Sequence, residues 1–343
     1  MTLSALDAPT IDPTPIFEFF RGNHGADLLT AAVCHFNIFG RLAQTPRTRG
    51  ELGADLGLTD RAVVVLTTTL RAMDLLTEND RGQLVPTAQA REHLTPGTHF
   101  DIGAYIGLGA QNPGVSNLVE SLKSGRPAQV ASGTLYTYRE GIASAMDETA
   151  SARHLTLALA GRAVNVAPVL ARTVDLGAAR TLLDVGGGTG IFAIALLQKH
   201  PNLRAIVFDR GEVLKVAQEM AEAYGVADRL ECRAGDMFRD PYPAADVTLL
   251  SNVLHDWDVP ECQTLIANAA RSTRRILVHD VFLNDALDGP LQQSLFSTAL
   301  YILTEGRLYS AAEVGGWLRD AGFKPAALVP TLVHCAVLSA QKS

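Results

Sequence analysis

A glycine-rich turn places the strongest constraint on how this chain can fold. The stretch LLDVGGGTG spans residues 182–190, and four of its nine residues are glycine. An apolar run of strand length leads into it, and the helix-like segment IFAIALLQKH follows. Glycine lets a chain turn tightly and lets a ligand approach its backbone. Because open parallel sheets bind ligands beyond the carboxyl ends of their strands, we expect Gly186, Gly188 and Gly190 to contact a nucleotide-like cofactor.

The chain after residue 180 alternates between two patterns. Short apolar runs of strand length include RTLLDVG, RAIVFD, RLECRAGD, DVTLLSNV and RRILVHDVF. Helical segments such as GEVLKVAQEMAEAYG and PECQTLIANAARS separate them. Strands that alternate with helices form a parallel sheet covered on both faces. The sequence therefore predicts an α/β fold with a doubly wound, Rossmann-like domain.

The residues around the glycines bear on which cofactor binds. A dinucleotide fingerprint, G-x-G-x-x-G/A, fails from Gly186 because Ile191 occupies its last position, but it is met from Gly188 because of Ala193. An NAD site is therefore weakened and stays open. The arrangement D-x-G-x-G-x-G, which begins at Asp184, favours another ligand. A carboxylate so close to the loop repels a pyrophosphate and suits a cofactor with an ammonium group.

Two further acids follow the next two predicted strands. Asp209 comes 19 residues after the last glycine of the loop, where a carboxylate can accept hydrogen bonds from ribose hydroxyls. In the stretch AGDMF, Asp236 suits an adenine amino group and Met237 and Phe238 suit its faces, and Gly235 belongs to the same predicted cofactor-binding set. A helix N-cap is the alternative for either acid alone. Acids after three consecutive strands, together with the glycine loop, indicate S-adenosylmethionine.

The first hundred residues read as mostly helical. A helix capped by Thr48, a turn, a second helix beginning at Asp60 and the hairpin-like stretch LLTENDRGQLVPT give the pattern of a winged helix. Residues 1–100 carry eight arginines, no lysine and eleven acids, and the whole chain has a net charge of −7. A nucleic-acid binder needs basic surface, so a docking or dimerisation role is favoured over DNA binding.

The middle of the chain and its cysteines give coarser indications. Residues 101–180 contain further helical stretches, which we expect to link the two halves and line a pocket. The predicted domains are thus 1–100 and 101–343. The cysteines lie far apart and outside any metal-ligand spacing, so no metal is expected; they are Cys34, Cys232, Cys262 and Cys335. With no signal-like start and no run of about 18 uninterrupted apolar residues, we expect a soluble, cytoplasmic protein.

Several motifs together resemble one enzyme family. The ordered set LLDVGGGTG, FDR, AGDMF, LLSNVLHDWD, RRILVHD and AGF is similar to the small-molecule O-methyltransferases of the plant caffeate and bacterial antibiotic type. The resemblance covers nearly the whole chain, because those enzymes also begin with a winged-helix-like dimerisation domain. It implies a homodimeric, S-adenosylmethionine-dependent O-methyltransferase that acts on a hydroxylated, phenolic small molecule.

The resemblance also implies roles for individual residues. The loop from Asp184 to Gly190 would hold the methionine part of the cofactor, with Ser251 and Trp257 near its adenine. His255 matches the family's general base, which takes the proton of a phenolic hydroxyl. Free phenols have a pKa of about 10 and are mostly protonated at pH 7, so a positioned imidazole has a task to perform.

The chain departs from the plant members at two acids that accompany this histidine. Asp280 stands where the first is usually glutamate, and we expect its shorter carboxylate to orient His255. Leu308 stands where the second acid would be. Glu305 is a candidate substitute, although a surface charge is the favoured interpretation. Asp256 is expected to cap the following helix, with Asp258 competing for that place.

Three alternatives remain open on the sequence alone. The missing second acid leaves room for carbon or nitrogen methylation, or for a non-methylating reaction that uses the same cofactor. A winged-helix regulator that senses S-adenosylmethionine is disfavoured by the acidic N-terminal part. An NAD enzyme is the remaining possibility.

Overall fold

The computed structural model describes residues 3–127, 146 and 148–343. Along these residues the helices are α1 (Thr14–Arg21), α2 (Gly25–Thr30), α3 (Ile38–Gln44), α4 (Arg49–Leu56), α5 (Asp60–Ala72), α6 (Ala88–His93), α7 (Gly103–Ile106), α8 (Pro113–Ser124), α9 (Thr149–Thr173), α10 (Ile191–Lys199), α11 (Gly211–Ala223), α12 (Val259–Ser272), α13 (Leu291–Leu303) and α14 (Ala311–Asp320). The strands are β1 (Leu76–Glu78), β2 (Leu84–Pro86), β3 (Thr181–Val185), β4 (Arg204–Asp209), β5 (Leu230–Ala234), β6 (Val247–Ser251), β7 (Arg275–Leu283), β8 (Tyr309–Ser310), β9 (Phe323–Pro325), β10 (Val329–Pro330) and β11 (Cys335–Lys342).

The described residues fall into two compact units, each discontinuous in sequence. One contains those of 1–17, 130–282 and 311–343, and the other contains those of 18–129 and 283–310. The expected boundary at residue 100 therefore differs from this division, in which residues 1–17 group with the sheet-containing unit and residues 283–310 group with the N-terminal helices. Residues 128–145 and 147, part of the expected linker, lie outside the described residues.

The unit that contains most of the N-terminal residues has the anticipated winged-helix pattern. Helices α4 and α5 are followed by β1 and β2, which pair antiparallel. Thr48 caps α4 in a capping box with Glu51, and Thr59 caps α5 by accepting from the backbone N–H of Ala62. These caps satisfy backbone donors that a helix start leaves unpaired, which is why each helix begins where it does.

Helix α13 belongs to this same unit because it packs along α5. The Thr69 hydroxyl of α5 lies 3.1 Å from the Thr298 hydroxyl and donates to the Ser294 carbonyl at 3.2 Å. The buried guanidinium of Arg61 lies 4.4 Å from the ring centroid of Tyr301. These contacts join segments more than 200 residues apart, and no local pattern in the sequence indicates them.

The other unit is built on the predicted doubly wound sheet. Its strands follow the order β10-β11-β7-β6-β3-β4-β5, with β9 paired to β11. Strands β5, β4, β3, β6 and β7 are parallel, whereas β11 runs antiparallel beside β7. The chain moves outward from β3 to β5 and then returns to the other side of β3 with β6. Such a reversal opens a crevice at the carboxyl ends of β3 and β6, where ligands bind in folds of this kind.

Helix α9 packs against α10 and α11 of this unit. By length and composition alone it is long and apolar enough to cross a membrane, and 33% of its most apolar stretch is buried. Core helices of soluble proteins meet the same criterion. The expectation of a soluble protein stays a prediction.

Candidate active site

The glycine loop between β3 and α10 has the conformation that its composition predicts. Gly186, Gly188 and Gly190 have φ angles of +63°, +58° and +70°, a region that side chains rarely tolerate. A Cβ built on Gly188 meets no atom within 4 Å, whereas one on Gly186 lies 3.1 Å from Val253 Cγ2. The loop is therefore closely packed at Gly186 and open to the crevice at Gly188, as a backbone cradle for a ligand requires.

Asp184 lies beneath this loop. It has no exposed surface, and neither carboxylate oxygen has a hydrogen-bond partner in the described residues. A Cβ on Gly187 would lie 2.8 Å from its Cγ. Burial, followed by the charge of Asp209, raises the pKa of Asp184 to about 7, although the Ala193 amide opposes the shift. The cofactor-binding role that the sequence predicts for Asp184 stays a prediction, and its burial leaves its charge as the property that a ligand above the loop would meet.

Asp209 lies at the end of β4, half-buried beside the loop. Its carboxylate accepts hydrogen bonds from the backbone N–H of Gly188 at 2.9 Å and from that of Arg210 at 2.7 Å. Burial raises its pKa, and these two bonds oppose the rise. The structure thus brings Asp209 against the open glycine of the loop, where the sequence predicted a ribose-binding carboxylate.

The residues after β5 form a tight turn. Asp236 Oδ1 accepts from the backbone N–H of Phe238 at 2.8 Å, which closes a turn; no helix begins here, so Asp236 is not a helix N-cap. A side chain at Gly235 would collide with the Phe208 ring. The Phe238 and Trp257 rings meet edge to face, with centroids 4.7 Å apart. Through this contact, the segment after β5 meets the segment after β6.

His255 is held by an aspartate on the neighbouring strand. It lies in a single 3-10 turn, Leu254–Asp256, that follows β6. Its Nδ1 lies 2.5 Å from Oδ1 of Asp280 on β7, and both side chains are buried. The same oxygen accepts the backbone N–H of Val281 at 2.8 Å. The predicted pair of His255 and Asp280 is therefore formed, with Nδ1 occupied and Nε2 turned away from Asp280.

Asp258 caps α12, and the expectation that Asp256 does so is wrong. The Asp258 carboxylate accepts from the backbone N–H of Val259 at 2.8 Å. The Asp256 Oδ1 lies instead 3.7 Å from His255 Nε2. Asp256 belongs to the 3-10 turn and precedes the cap position by two residues, so its side chain is left beside the imidazole.

The two carboxylates determine the ionisation of this imidazole. Burial lowers the pKa of His255, but the charges of Asp280 and Asp256 raise it by more, so it ends above its ordinary value. Burial raises the pKa of Asp280, and the charge and hydrogen bond of His255 lower it by more. Burial raises the pKa of Asp256. The arrangement is a histidine made more basic between two acids.

Ser251 and His279 lie next to this cluster. Ser251, the last residue of β6, has its hydroxyl 2.8 Å from His279 Nδ1, and His279 Nε2 lies 3.1 Å from the Thr331 hydroxyl. Burial lowers the pKa of His279 to about 3, with Arg162 adding to the effect. This histidine is neutral at every ordinary pH.

Sequence reasoning missed the parts played by Arg162 and Asp256. The half-buried Arg162 on α9 lowers the pKa of all four titratable groups of the cluster, which are His255, Asp256, His279 and Asp280. A lone charge within the apolar stretch LALAGRAVNVAPVL was the available signal. For Asp256 there was none, because Asp256 and Asp258 offer the same cap chemistry two residues apart.

Other predicted features have plainer surroundings. Leu308 is fully buried, and its backbone N–H donates to the Ser297 hydroxyl at 3.1 Å. Glu305 is half-buried within the same unit as Leu308. Within residues 3–127 and 148–343, no group of three or more histidine, cysteine or acidic side chains is arranged to hold a metal ion.

Known proteins share both the sequence and the fold of this chain. Residues 116–324 match the model of the O-methyltransferase domain. A 3-hydroxy-5-methyl-1-naphthoate 3-O-methyltransferase of Streptomyces sahachiroi is 32% identical over 90% of this chain and 89% of its own length. The tetracenomycin polyketide synthesis 8-O-methyl transferase of Streptomyces glaucescens is 28% identical, over 91% of each chain.

Among solved structures, an O-methyltransferase family 2 protein from Planctomyces limnophilus in complex with apigenin superposes with a TM-score of 0.90. It is 45% identical, and the match covers 100% of this chain and 99% of that one. Human N-acetylserotonin methyltransferase in complex with S-adenosylmethionine matches with a TM-score of 0.59 at 21% identity. That match covers 98% of this chain and 100% of the human one. At that identity the likeness concerns the fold alone.

Proposed function

Because this chain belongs to the O-methyltransferase family, we propose that it methylates a phenolic hydroxyl of a small aromatic molecule, with His255 as the general base. It is an S-adenosylmethionine-dependent O-methyltransferase, which removes the alternatives of an NAD enzyme and of a regulator without activity. The observation that carries the proposed base is the buried contact of 2.5 Å between His255 Nδ1 and Asp280.

The residues at the crevice fit the cofactor. Gly188 leaves open space above the loop, and the Asp209 carboxylate lies against that glycine, where it can turn to ribose hydroxyls. The buried charge of Asp184 favours the cationic ammonium and sulfonium groups. When bound, S-adenosylmethionine supplies a methyl group that its sulfonium has already activated. We assign adenine to the turn of Asp236 and Met237, beside Trp257.

His255 removes the acceptor's proton through Nε2. Asp280 accepts a hydrogen bond from Nδ1–H and thereby holds the imidazole in the tautomer whose Nε2 carries a lone pair. The raised pKa makes this nitrogen a stronger base. A positioned base of this kind contributes about 10²–10⁴-fold to the rate.

Asp256 provides an acid on the acceptor side of the imidazole. Its Oδ1 lies 3.7 Å from His255 Nε2, and its side chain is 34% exposed. In this position its charge stabilises the imidazolium that forms when the proton is taken. The side chain of Leu308 is uncharged and cannot stabilise an imidazolium. We therefore assign the part of the missing second acid to Asp256 rather than to Glu305.

A phenolic substrate is supported by two relatives. The naphthoate methyltransferase is named for a hydroxylated aromatic ring, and the structure at 45% identity contains apigenin, a polyphenol. Both molecules are aromatic and carry phenolic hydroxyl groups. We propose an acceptor of the same chemical class for this chain.

A homodimer and a cytoplasmic location complete the proposal. Large apolar side chains are exposed at 77–86% in α1, at Phe19 and Phe20, and at 76–81% near α7, at Tyr105 and Leu108. Exposed apolar side chains of this size mark protein interfaces. We assign them to contact with a second copy of this chain, and the acidic charge disfavours nucleic acid as a partner.

The base is tested by a variant assay on neutral phenols. Products are detected as a mass increase of 14 for each methyl group, with the site of methylation identified by fragmentation. We expect His255→Ala to lower kcat by about 10²-fold or more on a neutral phenol. His154→Ala, which changes an exposed histidine on α9, is the matched control and should retain activity.

Full activity of His255→Ala on a neutral phenol contradicts the base. Methylation at carbon or nitrogen alone, across phenols and aromatic amines, contradicts the phenolic acceptor. Tight cofactor binding without any methylated product contradicts the transfer itself.

A further inference from the structure

His279 is a fully buried histidine beside the site, and the proposed reaction does not use it. We propose that His279 is a positioning residue, whose hydrogen bonds hold Ser251 and Asn252 at the start of the turn that carries His255. The inference rests on the proposed role of His255 as the general base. It adds a residue that contacts neither acceptor nor reacting atoms and acts through the backbone instead.

The hydrogen bonds around His279 form a chain with a defined direction. The Asn252 side-chain amide donates to the Ser251 hydroxyl oxygen at 3.1 Å. The Ser251 O–H is then available to donate to His279 Nδ1 at 2.8 Å. The remaining hydrogen of the neutral imidazole lies on Nε2 and donates to the Thr331 hydroxyl at 3.1 Å. Each group thereby uses its donor once, and His279 is assigned the Nε2–H tautomer.

Asn252 is the point at which the chain leaves β6. Its φ angle is +57°, in the left-handed region that asparagine adopts more readily than most residues other than glycine. Its backbone N–H donates to the His279 carbonyl at 2.8 Å. The backbone of residue 279 therefore holds Asn252 directly, as any residue there would, and the His279 side chain adds a second connection through Ser251. Only Val253 and Leu254 separate Asn252 from His255, so a change in its conformation would reorient the imidazole.

Strand β7 contacts the catalytic segment with two neighbouring side chains. Successive side chains on a strand point to opposite faces, so Asp280 and His279 cannot serve the same group. Asp280 is hydrogen-bonded to the His255 ring, and His279 is hydrogen-bonded to Ser251 at the end of β6. If Asp280 alone held His255, the imidazole could still reorient whenever the backbone of its turn moved. The second contact removes that freedom.

Simple core packing is the competing explanation for His279. The Phe192 ring lies edge to face with the imidazole, with centroids 5.2 Å apart, so the side chain also fills space. Packing requires only the ring's volume. Positioning requires an acceptor at Nδ1, and variants that keep one nitrogen or the other separate the two explanations.

The first experiment reads the tautomer directly. In ¹⁵N-histidine-labelled protein, the chemical shifts of the two ring nitrogens of His279 report which nitrogen carries the hydrogen. The His279 signals are assigned as those that disappear in a variant without this histidine. We expect the Nε2–H tautomer with no titration between pH 5.5 and 9, in contrast to His255. An Nδ1–H tautomer, or a titrating His279, overturns the inference. This measurement needs no substrate, so its outcome is independent of whether His255 is the base.

The second experiment compares His279→Asn with His279→Gln. The asparagine carbonyl can occupy the place of Nδ1 and accept from Ser251, whereas the longer glutamine reaches towards Thr331 and leaves Ser251 without its acceptor. At saturating cofactor and acceptor, we expect His279→Gln to lower kcat roughly tenfold with KM values little changed, because a misaligned base slows the reaction step itself. His279→Asn should retain most of kcat.

A double-mutant cycle with Ser251→Ala completes the test. We expect the two losses to be non-additive, since both remove one interaction. Should either His279 variant prove too unstable to assay, Thr331→Val takes its place and should lower kcat with the same non-additivity towards Ser251→Ala. Equal kcat losses in the asparagine and glutamine variants, or additive losses in the cycle, overturn the inference. If His255→Ala is fully active while the tautomer and the cycle behave as expected, the base assignment fails and the hydrogen-bond chain stands.

Discussion

At the scale of single residues, His255 is governed by the two acids beside it. Asp280 binds Nδ1 at 2.5 Å and Asp256 lies 3.7 Å from Nε2, so both ring nitrogens face negative charge. Their charges raise the pKa of His255 more than burial lowers it. The imidazole therefore accepts a proton more readily than a free one, but it must first be neutral. These opposing requirements give the reaction a predictable dependence on pH.

The acid side of the pH profile reports the pKa of this imidazole. Below that pKa the ring is already protonated and cannot take the phenol's proton, so kcat/KM for the acceptor, which reports the free enzyme, should fall with a midpoint above ~6.5, the ordinary histidine value. Asp280→Asn removes the charge that raises the pKa most, so the midpoint should move to lower pH while the maximal kcat drops about tenfold or more. Asp228→Asn, an exposed change, is the control. A midpoint that stays unmoved in Asp280→Asn contradicts this account.

Asp184 couples cofactor binding to pH. With a pKa of about 7, it is partly protonated in the free enzyme near neutrality. A bound cation stabilises the ionised form and lowers this pKa. Affinity for S-adenosylmethionine should therefore rise as the pH increases towards 7 and level off above it. Calorimetry from pH 5.5 to 8.5 measures this, and Asp184→Asn should abolish the dependence. A pH-independent affinity in the unmodified protein contradicts the prediction.

The same carboxyl group should destabilise the cofactor-free protein at high pH. Its folded pKa of about 7 exceeds the unfolded value of ~3.9, so ionisation costs folding free energy as the pH rises between those values. Asp184→Asn should therefore raise Tm at pH 8 and change it much less near pH 4.5. Scanning calorimetry without cofactor checks the sign. A lower Tm for the variant at pH 8 would show that the charge contributes to folding.

At the scale of elements, the glycine loop separates a folding requirement from a binding one. Gly188 and Gly57 both have positive φ, +58° and +65°, and a Cβ on either meets nothing within 4 Å. Alanine at each should cost a similar ~1 kcal/mol of unfolding free energy. Gly57 ends α4, whereas Gly188 lies in the predicted cofactor cradle. Gly188→Ala should weaken cofactor binding about tenfold or more, and Gly57→Ala should leave it unchanged.

Thermal unfolding and calorimetric titration on both variants test this comparison. Equal cofactor affinities in the two variants would contradict the assignment of the cradle. A much larger loss of Tm in Gly188→Ala would show that the loop serves folding first.

At the scale of the whole molecule, exposed apolar surface suggests how copies of the chain associate. Phe19 and Phe20 of α1 are 86% and 77% exposed. If they are buried in a dimer, replacing both by serine should shift the mass measured by light scattering from dimer to monomer at micromolar concentration. Leu328→Ser, at a partly exposed apolar position, should leave the dimer intact. A monomeric parent protein, or a variant that still dimerises, contradicts the proposed interface.

Local chemistry explains why much of the fold was predictable. Thr48 and Thr59 each stand directly before a helical pattern and cap the helix that follows. The glycines of the loop have positive φ angles, which other residues rarely adopt. Alternating strands and helices require a parallel sheet. The failures concern choices between equivalent residues. Asp256 and Asp258 are equally good caps by type, and only the length of the preceding turn decides between them.

The sequence by itself determined the fold class and the cofactor, because both depend on residue types at fixed local spacing. It also predicted His255 as the base, which stays a proposal. Tertiary structure decided which charges meet. It buried Asp184 beneath the loop, placed the Asp256 carboxylate 3.7 Å from His255 Nε2, and brought Arg162 to where its charge lowers the pKa of His255. The physical reason is that electrostatic effects follow distance and burial in space. Neither is encoded by neighbours along the chain.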